Sequence, residues 1–448
     1  MIVLKFGGTS VQDAGRMDRV LDIAASQLER APVLVSSAMG KTTDSLVRIG
    51  EEAVAGNGKA AADGVASLRT HHFDTAREFL TGENLTKARN ALEEIFGALG
   101  SLVKGLVLIR ECTPRTSDAL LSFGELLSTT LLSFRARERG IACEYLDSRH
   151  FVKTDQEFTH ASVDFPRTNA AIRQMLHPAP GKVLVVQGFI GSTESGVTTT
   201  LGRGGSDYTA TIIGSALESE EVQIWTDVNG IMTADPRVVP EAVSIPRINY
   251  EEAAELAYFG AKVVHPSTIQ PAVEKGIPVW VKNTTDPDGP ATRISRDPGV
   301  PGLRAIASKK RITLITVDSS RMLNAYGFLS TIFAIFERNR ISVDLIATSE
   351  VSVSMTVDSP TNVDKAVAEL KQYGRVTVEQ NHSIVCLVGR DLWKDSSFVA
   401  AVFDALKGTP IRLISLGSSD INLSMVVPES DADNSVRRLH REFFSMTS

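Results

Sequence analysis

Three features are scarce or missing in this 448-residue chain, and each absence narrows the class of protein. Cysteine occurs only as Cys112, Cys143 and Cys386, an odd number without the close spacing of metal ligands. This usage predicts a reduced, cytoplasmic compartment and no metal bound by the protein itself. No uninterrupted apolar run reaches the roughly 18 residues that a membrane span needs.

An excess of positive charge is also missing. The formal net charge is -6, which argues against nucleic acid or an anionic membrane as a partner. The N-terminus has no basic region of the kind that opens a signal peptide, and Lys5 interrupts its short apolar stretch. The first residues therefore read as a β-strand, and the length of the chain predicts two or three domains.

Short apolar strands alternate with helical stretches up to about residue 285. The predicted strands are Ile2–Phe6, Val33–Val35, Ile141–Leu146, Val183–Gln187, Val222–Trp225 and Val279–Val281. Helices are predicted over Asp118–Arg139 and Asp207–Leu217. This alternation indicates a mainly parallel sheet covered by helices, with ligands bound beyond the carboxyl ends of its strands. Seven prolines and glycines between residues 286 and 302 then indicate a domain boundary.

The remaining chain contains an internal repeat. Residues 327–357 align without a gap on residues 397–427, at an offset of 70. Each copy has a helical apolar stripe, then an extended segment and a strand that alternates with period two. An apolar strand precedes each helix, at Thr313–Val317 and Ser383–Val388. The pattern predicts two small ferredoxin-like α+β units.

A glycine-rich segment follows the first strand. Lys5 ends this strand, and Gly7, Gly8 and Ser10 precede a predicted helix. Glycine lets backbone N–H groups approach a phosphate, and the helix N-terminus adds positive potential. Lys5 could neutralise a transferring phosphoryl group. A tight turn beside a surface lysine explains the same residues equally well.

A second polar segment, residues 36–44, follows the second strand. Gly40-Lys41-Thr42 looks like the end of a P-loop, but Val35 stands where that motif needs its first glycine. The P-loop hypothesis therefore fails. A loop that contacts substrate and a plain turn are about equally consistent with these residues.

The most informative stretch is residues 198–207, Thr-Thr-Thr-Leu-Gly-Arg-Gly-Gly-Ser-Asp. Arg203 offers a planar fork that suits a carboxylate or a phosphate. Ser206 or Asp207 could merely cap the following helix. Capping does not explain three glycines around an arginine. A dinucleotide-binding fingerprint is excluded, because Asp207 stands where that fingerprint needs glycine.

Three further charged residues admit two interpretations each. Asp227 ends a strand where a ligand hydroxyl or ammonium could bind, although acidic residues are also common in turns. Lys262 is either a phosphate ligand or an ordinary solvated lysine. Glu125 lies within an apolar helix, where a buried carboxylate needs a partner. That partner is either a substrate ammonium or an arginine of the chain.

Together, and in this order, the segments resemble aspartate kinase. The resemblance rests on residues 5–10, 198–207 and four shorter pieces: Ser-Phe-Gly-Glu at 122–125, Trp-Thr-Asp-Val at 225–228, Ala-Asp-Pro-Arg at 234–237 and Phe-Gly-Ala-Lys-Val-Val-His-Pro at 259–266. It covers essentially the whole chain, including the repeated C-terminal units, which resemble ACT domains. It implies an α/β fold: an amino-acid-kinase α/β/α sandwich with a mainly parallel sheet over residues 1–295. Two ACT units would follow, the first over 312–381 and the second over 303–311 with 382–448.

The resemblance also implies ligands and residue roles. The enzyme would phosphorylate L-aspartate with ATP and Mg²⁺, the first step of lysine, threonine and methionine biosynthesis. Lys5 and Asp207 would form the phosphoryl-transfer centre. ATP would be held by Lys5, Gly7, Gly8, Ser10, Thr226, Asp227, Met232, Asp235, Arg237 and Lys262. Aspartate would be held by Ser36, Thr42, Glu125, Arg203 and Ser206. Met232 departs from the family, many of whose members carry an aromatic residue there.

The repeat region resembles the monofunctional, lysine-sensitive branch, with homodimers or homotetramers formed through the ACT domains. An effector at an ACT–ACT interface would contact Met322, Val343, Asp344, Thr348 and Ser349, and Asp344 would meet its ammonium. These residues could instead only build a dimer interface, and threonine could replace lysine as effector.

Two other functions remain open at this point. Another amino-acid kinase, acting on glutamate, acetylglutamate or a nucleoside monophosphate, would lack the paired ACT units and Ser-Phe-Gly-Glu. A non-catalytic amino-acid-binding regulator would carry a degenerate kinase domain. The joint presence of Lys5, Arg203 and Asp207 argues against that alternative.

Overall fold

A computed structural model describes residues 1–260, 264–297, 299–323, 326–358, 361–417 and 419–445. The described residues divide into two compact units. Unit 1 comprises Met1–Ile231 with Val263–Asp297, and unit 2 comprises Met232–Lys262 with Pro298–Ser448.

The strands are, in chain order, β1 Ile2–Phe6, β2 Pro32–Ser36, β3 Ala142–Leu146, β4 Lys182–Gln187, β5 Ile190–Ser192, β6 Thr198–Thr200, β7 Glu221–Thr226, β8 Arg247–Asn249, β9 Val279–Asn283, β10 Thr292–Ser295, β11 Gly302–Asp318, β12 Ile346–Thr348, β13 Ser352–Val357, β14 Arg375–Arg390, β15 Leu413–Leu416 and β16 Asn422–Pro428.

The helices are α1 Ala14–Ala25, α2 Thr42–Val54, α3 Gly58–Phe79, α4 Gly82–Ile109, α5 Pro114–Glu138, α6 Phe165–Met175, α7 Gly205–Ala216, α8 Tyr250–Phe259, α9 Pro266–Lys275, α10 Phe328–Arg338, α11 Val363–Leu370, α12 Ser396–Ala405 and α13 Glu429–Phe444. Among the described residues, no helix combines the length and the apolar character needed to cross a lipid bilayer.

The sheet of unit 1 confirms the predicted parallel architecture. Seven strands of this unit lie side by side in the order β3-β4-β2-β1-β7-β9-β10. All neighbouring pairs are parallel except β9 and β10. Every predicted strand of this region is present, and the two predicted helices correspond to α5 and α7.

Both faces of this sheet are covered, because all residues of β1 and β2 are buried. Ile2, Leu4 and Phe6 project into a core formed with helices α1 to α5. The alternate residue Val3 faces α7, where a Cβ added at Gly214 would lie 3.8 Å from the Val3 side chain. Sheet and helices thus form three layers, and the carboxyl ends of β1, β2, β4 and β7 share one edge.

Unit 2 contains the sheet that the repeat predicts. Six antiparallel strands lie in the order β12-β13-β11-β14-β16-β15. Strands β13 and β16 begin 70 positions apart, at Ser352 and Asn422, as the sequence offset requires. The long strands β11 and β14 pair with each other, so the two repeats share one continuous sheet.

The segment Met232–Lys262 also belongs to unit 2, and its helix α8 contacts the sheet of that unit. Helix α8 packs against β11 and β14. Its start is fixed by a capping box, in which the Asn249 side chain accepts from Glu252 N and the Glu252 side chain accepts from Asn249 N. Gly260 ends the helix so close to Ser308 O that an added Cβ would stand 2.7 Å away. Position 260 therefore cannot accept a side chain without backbone movement.

We predict that Leu34→Ala lowers the free energy of unfolding of unit 1 by about 2 to 5 kcal/mol, because Leu34 is fully buried in the central strand β2. Leu108→Ala deletes the same atoms from a side chain that is 84% exposed, and its effect should stay within about 0.5 kcal/mol. Urea unfolding followed by tryptophan fluorescence, in a Trp393→Phe background that leaves Trp225 and Trp280 of unit 1, measures both. Equal effects of the two substitutions would contradict the packing of β2.

Candidate active site

A cavity of about 330 Å³ opens at the carboxyl edge of the unit 1 sheet. Its walls come from the end of β1, the loop after β2, helix α5 and the glycine-rich loop that leads into α7. The lining residues are Lys5, Gly8, Ser37, Ala38, Gly40, Thr43, Glu125, Phe189, Gly202, Arg203, Gly204, Gly205, Ser206 and Asp207. Lys5, Glu125, Arg203 and Asp207, which lie far apart in sequence, therefore share one cavity.

An ion pair occupies the centre of this cavity. Lys5 Nζ, at the end of β1, lies 2.6 Å from Asp207 Oδ1, in the first turn of α7. The two side chains are only 11% and 12% exposed. A charge held this far from water needs its partner in place, so each residue fixes the position of the other.

The turn after β1 brings two backbone segments into direct contact. Gly7 N donates to Trp225 O at the end of β7, and Gly40 N donates to Gly8 O. A Cβ at Gly8 would lie 2.9 Å from both Ala38 O and Gly40 O, so only glycine fits there. The loops after β1 and β2 can approach this closely because no side chain separates them.

Ser10 is held within this turn. Its hydroxyl shares a hydrogen bond of 2.7 Å with Thr284 Oγ1, and Thr284 N donates to Thr226 O. Thr226 Oγ1 in turn donates to Asp227 Oδ1, which is exposed at the end of β7. Three of the residues predicted to bind nucleotide, Ser10, Thr226 and Asp227, are thus linked through Thr284.

The glycine–arginine loop, residues 201–204, leaves the guanidinium of Arg203 free to bind a ligand. Gly202 and Gly204 have φ angles of +73° and +72°, a backbone conformation that glycine adopts without strain. Arg203, between them, is exposed and lines the cavity. Within the described part of the chain, no ion pair or hydrogen bond engages its guanidinium. The loop therefore presents a free planar cation to the cavity.

Asp118, which the sequence interpretation did not single out, anchors this loop to α5. Its carboxylate is fully buried and accepts from Thr159 N, Thr200 N and Thr200 Oγ1, the last at 2.7 Å. Thr200 lies three residues before Arg203. The available signal was the spacing of Asp118 and Glu125, since seven residues are two helical turns and place both carboxylates on one face of α5.

Glu125 is completely buried at the wall of the cavity. Its Oε1 accepts from Ala38 N at 3.0 Å. Its Oε2 has no partner among the residues that the structure describes. Burial raises the pKa of Glu125 to about 8, against the opposing effect of the hydrogen bond from Ala38. The free side chain is therefore mostly neutral at pH 7, and no cation among the described residues pairs with it.

Two predicted substrate residues, Ser36 and Thr42, are buried beside the cavity rather than in its wall. Ser36 Oγ donates to Ser37 O, and Thr42 Oγ1 donates to Met39 O at 2.6 Å. The neighbouring residues Ser37 and Thr43 line the cavity instead, and Ser37 Oγ donates to Ser206 Oγ. The role of Ser36 and Thr42 as substrate ligands stays a prediction.

The remaining predicted nucleotide residues belong to unit 2 or lie outside the described residues. Met232 packs partly buried against the core of the second repeat. Arg237 forms a 2.6 Å ion pair with Asp235, and this contact lowers the pKa of the Asp235 carboxyl. Lys262 lies outside the described residues.

Among the described residues, no group of three His, Cys, Asp or Glu side chains could hold a metal ion.

The five predicted effector residues also belong to unit 2. Met322 is half-buried, whereas Thr348 and Ser349, at the end of β12, are exposed. Asp344 has a side chain that is 1% exposed and pairs with Lys309. Asp344 N donates to Thr356 O on β13, which fixes its backbone.

Known proteins resemble the chain over its whole length. The amino acid kinase family matches residues 1–283, and an ACT domain model matches residues 315–373 and 385–443. The lysine-sensitive aspartokinase 3 of Escherichia coli is 38% identical, over 99% of this chain and 99% of that protein.

Two crystal structures of the Escherichia coli protein match the model. The structure of aspartokinase III with aspartate and ADP, described as the R-state, gives a TM-score of 0.84 at 37% identity, over 99% of this chain and all of that one. The structure with lysine and aspartate, described as the T-state, gives 0.81 at 38% identity, over 99% of both chains. The chain therefore belongs to the amino acid kinase family and, within it, to the aspartokinases with C-terminal ACT domains.

Proposed function

We propose that the chain transfers the γ-phosphoryl group of ATP to the β-carboxylate of L-aspartate, giving 4-phospho-L-aspartate and ADP. This reaction opens the synthesis of lysine, threonine and methionine. Family membership supports the reaction class. The observation that carries the assignment is the single cavity shared by an ion pair, a free guanidinium and a buried carboxyl without a cation.

The cavity's charges match both ends of an amino acid. Arg203 offers two parallel N–H donors, which suit the α-carboxylate of aspartate, and the Ser206 hydroxyl stands in the same wall. Glu125 Oε2 has no partner in the described part of the chain, and the α-ammonium of aspartate would supply one. The β-carboxylate is then directed toward Lys5.

The chemistry needs alignment more than proton removal. The β-carboxylate is ionised near neutral pH, so no general base has to create the nucleophile. One of its oxygens bonds to the γ-phosphorus, while the bond from that phosphorus to the β,γ-bridging oxygen breaks and ADP leaves with the electron pair. Lys5 neutralises the charge that these anions bring together, and Asp207 holds Lys5 in position.

The turn after β1 fits a nucleotide phosphate. A side chain at position 7 would begin 3.7 Å from Lys5 Nζ, within the space that a phosphate must enter, and Gly8 has no room for one. ATP would supply the phosphoryl group, and an accompanying Mg²⁺ would supply positive charge to its phosphate oxygens. Asp207 is the residue of this cavity that would hold the ion, directly or through water.

We further propose that L-lysine inhibits the enzyme by binding unit 2 around Asp344, with its ammonium on that carboxylate. The buried Oδ2 of Asp344, which has no partner among the described residues, supports this assignment. Assembly into dimers or tetramers through the ACT domains belongs to the same proposal. The free thiols of Cys112, Cys143 and Cys386 support a cytoplasmic location.

Lys5→Ala should lower kcat by about 100-fold or more, since it removes the cation at the transfer centre. A hydroxamate assay with aspartate, ATP and Mg²⁺ measures the loss. Lys59→Ala removes an exposed lysine of α3 and should retain full activity. Wild-type turnover by the Lys5 variant would remove Lys5 from the mechanism, and an inactive wild-type chain would defeat the proposed reaction.

Aspartate binding should release a proton from Glu125. With a pKa of about 8, Glu125 is protonated in roughly nine of ten free molecules at pH 7, and the incoming ammonium favours its ionised form. We expect net release of a proton on aspartate binding at pH 7, and affinity that rises with pH up to the pKa of about 8. Calorimetry in two buffers of different ionisation enthalpy measures this release.

Glu125→Gln provides the control for that measurement. The glutamine keeps the shape of the side chain but cannot ionise, so the proton release should vanish and aspartate should bind more weakly. Unchanged proton release in this variant would show that another group titrates. The substitution should also stabilise the fold above pH 8. The folded-state pKa lies above the usual 4.5, so wild-type stability is lost as pH rises from 4.5 to 8.

Titration of activity with L-lysine and, separately, L-threonine tests the effector assignment. We expect inhibition by lysine, and a loss of lysine sensitivity of about 10-fold or more in Asp344→Asn, because the ammonium loses its counter-charge. Asp364→Asn makes the same change at an exposed position of α11 and should not alter sensitivity. Inhibition by neither amino acid would refute the proposed regulation.

A further inference from the structure

Asp344 already has a cationic partner within the chain. Lys309 Nζ lies 3.0 Å from Asp344 Oδ1, and the Tyr258 hydroxyl donates to the same oxygen. The ammonium of Lys309 also lies 4.2 Å from the centre of the Tyr258 ring. One carboxylate oxygen is thus fully engaged by two side chains, while Oδ2 is buried and without a partner among the described residues.

Lys309 also contacts a second carboxylate. Its Nζ lies 2.9 Å from Asp358 Oδ2, a carboxylate that is 42% exposed. Lys309 can therefore weaken its contact with Asp344 and keep a counter-charge. The three charged groups together carry one net negative charge, so the cluster attracts a further cation only weakly.

The cluster is not a requirement of the ACT framework. At the repeat offset of 70, Lys309 corresponds to Glu379, Asp344 to Ile414 and Asp358 to Pro428. Strands β14, β15 and β16, which hold these matching positions, form without this arrangement of charges. The cluster is therefore particular to Lys309, Asp344 and Asp358 and is not repeated at the matching positions.

Tyr258 connects the cluster to another part of the chain. It stands near the end of α8, four residues before Lys262, which we assign by resemblance to the ATP phosphates. Burial, and then the hydrogen bond to Asp344, raises the pKa of Tyr258 well above its usual value. The hydroxyl therefore stays a proton donor over the physiological pH range.

We propose that Lys309 is a built-in competitor for the effector's ammonium at Asp344, and that Tyr258 conveys the exchange to α8. This inference rests on the proposed binding of lysine at Asp344. An ammonium arriving at Oδ2 is repelled by the ammonium on Oδ1. Lys309 then gives up Asp344 and keeps its existing contact with Asp358, and the Tyr258 hydroxyl loses the geometry that holds α8 against Asp344.

Lys309→Met tests the competition. It raises the net negative charge of the cluster from one to two, so L-lysine should bind the full-length chain about 3- to 10-fold more tightly by calorimetry. Basal hydroxamate activity should not change. Lys310→Met is the matched control. Lys310 is the next residue in the chain, and it pairs with Asp433, which does not belong to the Asp344 cluster. Its affinity for lysine should stay within about twofold of wild type.

Tyr258→Phe tests the coupling, and it keeps the ring beneath Lys309. We expect lysine to bind this variant at least as tightly as wild type. The readout is the ratio of the lysine concentration that gives half-inhibition to the dissociation constant of lysine. In Tyr258→Phe this ratio should rise by about 5-fold or more. An unchanged ratio would overturn the role of Tyr258.

The outcomes separate this inference from the proposed regulation. If wild type binds no lysine, the effector assignment fails, and the inference fails with it. If wild type binds lysine but Lys309→Met binds it no better than Lys310→Met does, only the competition is refuted. Should Lys309→Met fold poorly, Lys309→Gln keeps a polar end beside Asp358 and should tighten binding in the same direction.

Discussion

The removal of charge from water is the constraint that shapes both units. A buried carboxylate or ammonium is tolerated only where opposite charges or hydrogen-bond donors replace its solvent. Lys5 and Asp207 satisfy each other at the end of β1. Asp118 is satisfied by three donors, Thr159 N and the N and Oγ1 of Thr200 at the end of β6. These complete arrangements hold the walls of the cavity in place, and the glycine–arginine loop takes its position from them.

Two buried carboxyl groups, one in each unit, are satisfied at only one of their two oxygens within the part of the chain that the structure describes. Glu125 in unit 1 and Asp344 in unit 2 each have one engaged and one unengaged oxygen among the described residues. Their environments differ, since Glu125 has no cation beside it whereas Asp344 has Lys309. In the proposed function, the substrate ammonium meets a carboxyl without a charged partner among the described residues, whereas the effector ammonium meets one that Lys309 already contacts.

Much of this arrangement could be predicted from the sequence, and the remainder depends on long-range contacts. The strands of unit 1 are short apolar runs, several of them followed by glycine-rich segments, and the ACT repeat is visible as a fixed offset. The wall residues Ser37 and Thr43 were not predictable, because the loop after β2 is turned by Gly40 at φ +55°. Asp118 was missed because its partners lie 41 and 82 positions away. The packing of α8 on unit 2 likewise leaves no mark in local sequence.

The pairing of β11 with β14 has a consequence for synthesis on the ribosome. Gly302–Lys309, the first half of β11, finds its partner only in residues 384–390 of β14. About 80 residues must be added before that partner exists, which takes roughly 4 to 16 seconds at usual translation rates. For that interval the nascent chain displays an unpaired strand edge, a template for association with other polypeptides. A chaperone bound to this stretch during translation would protect the nascent unit 2 from such association.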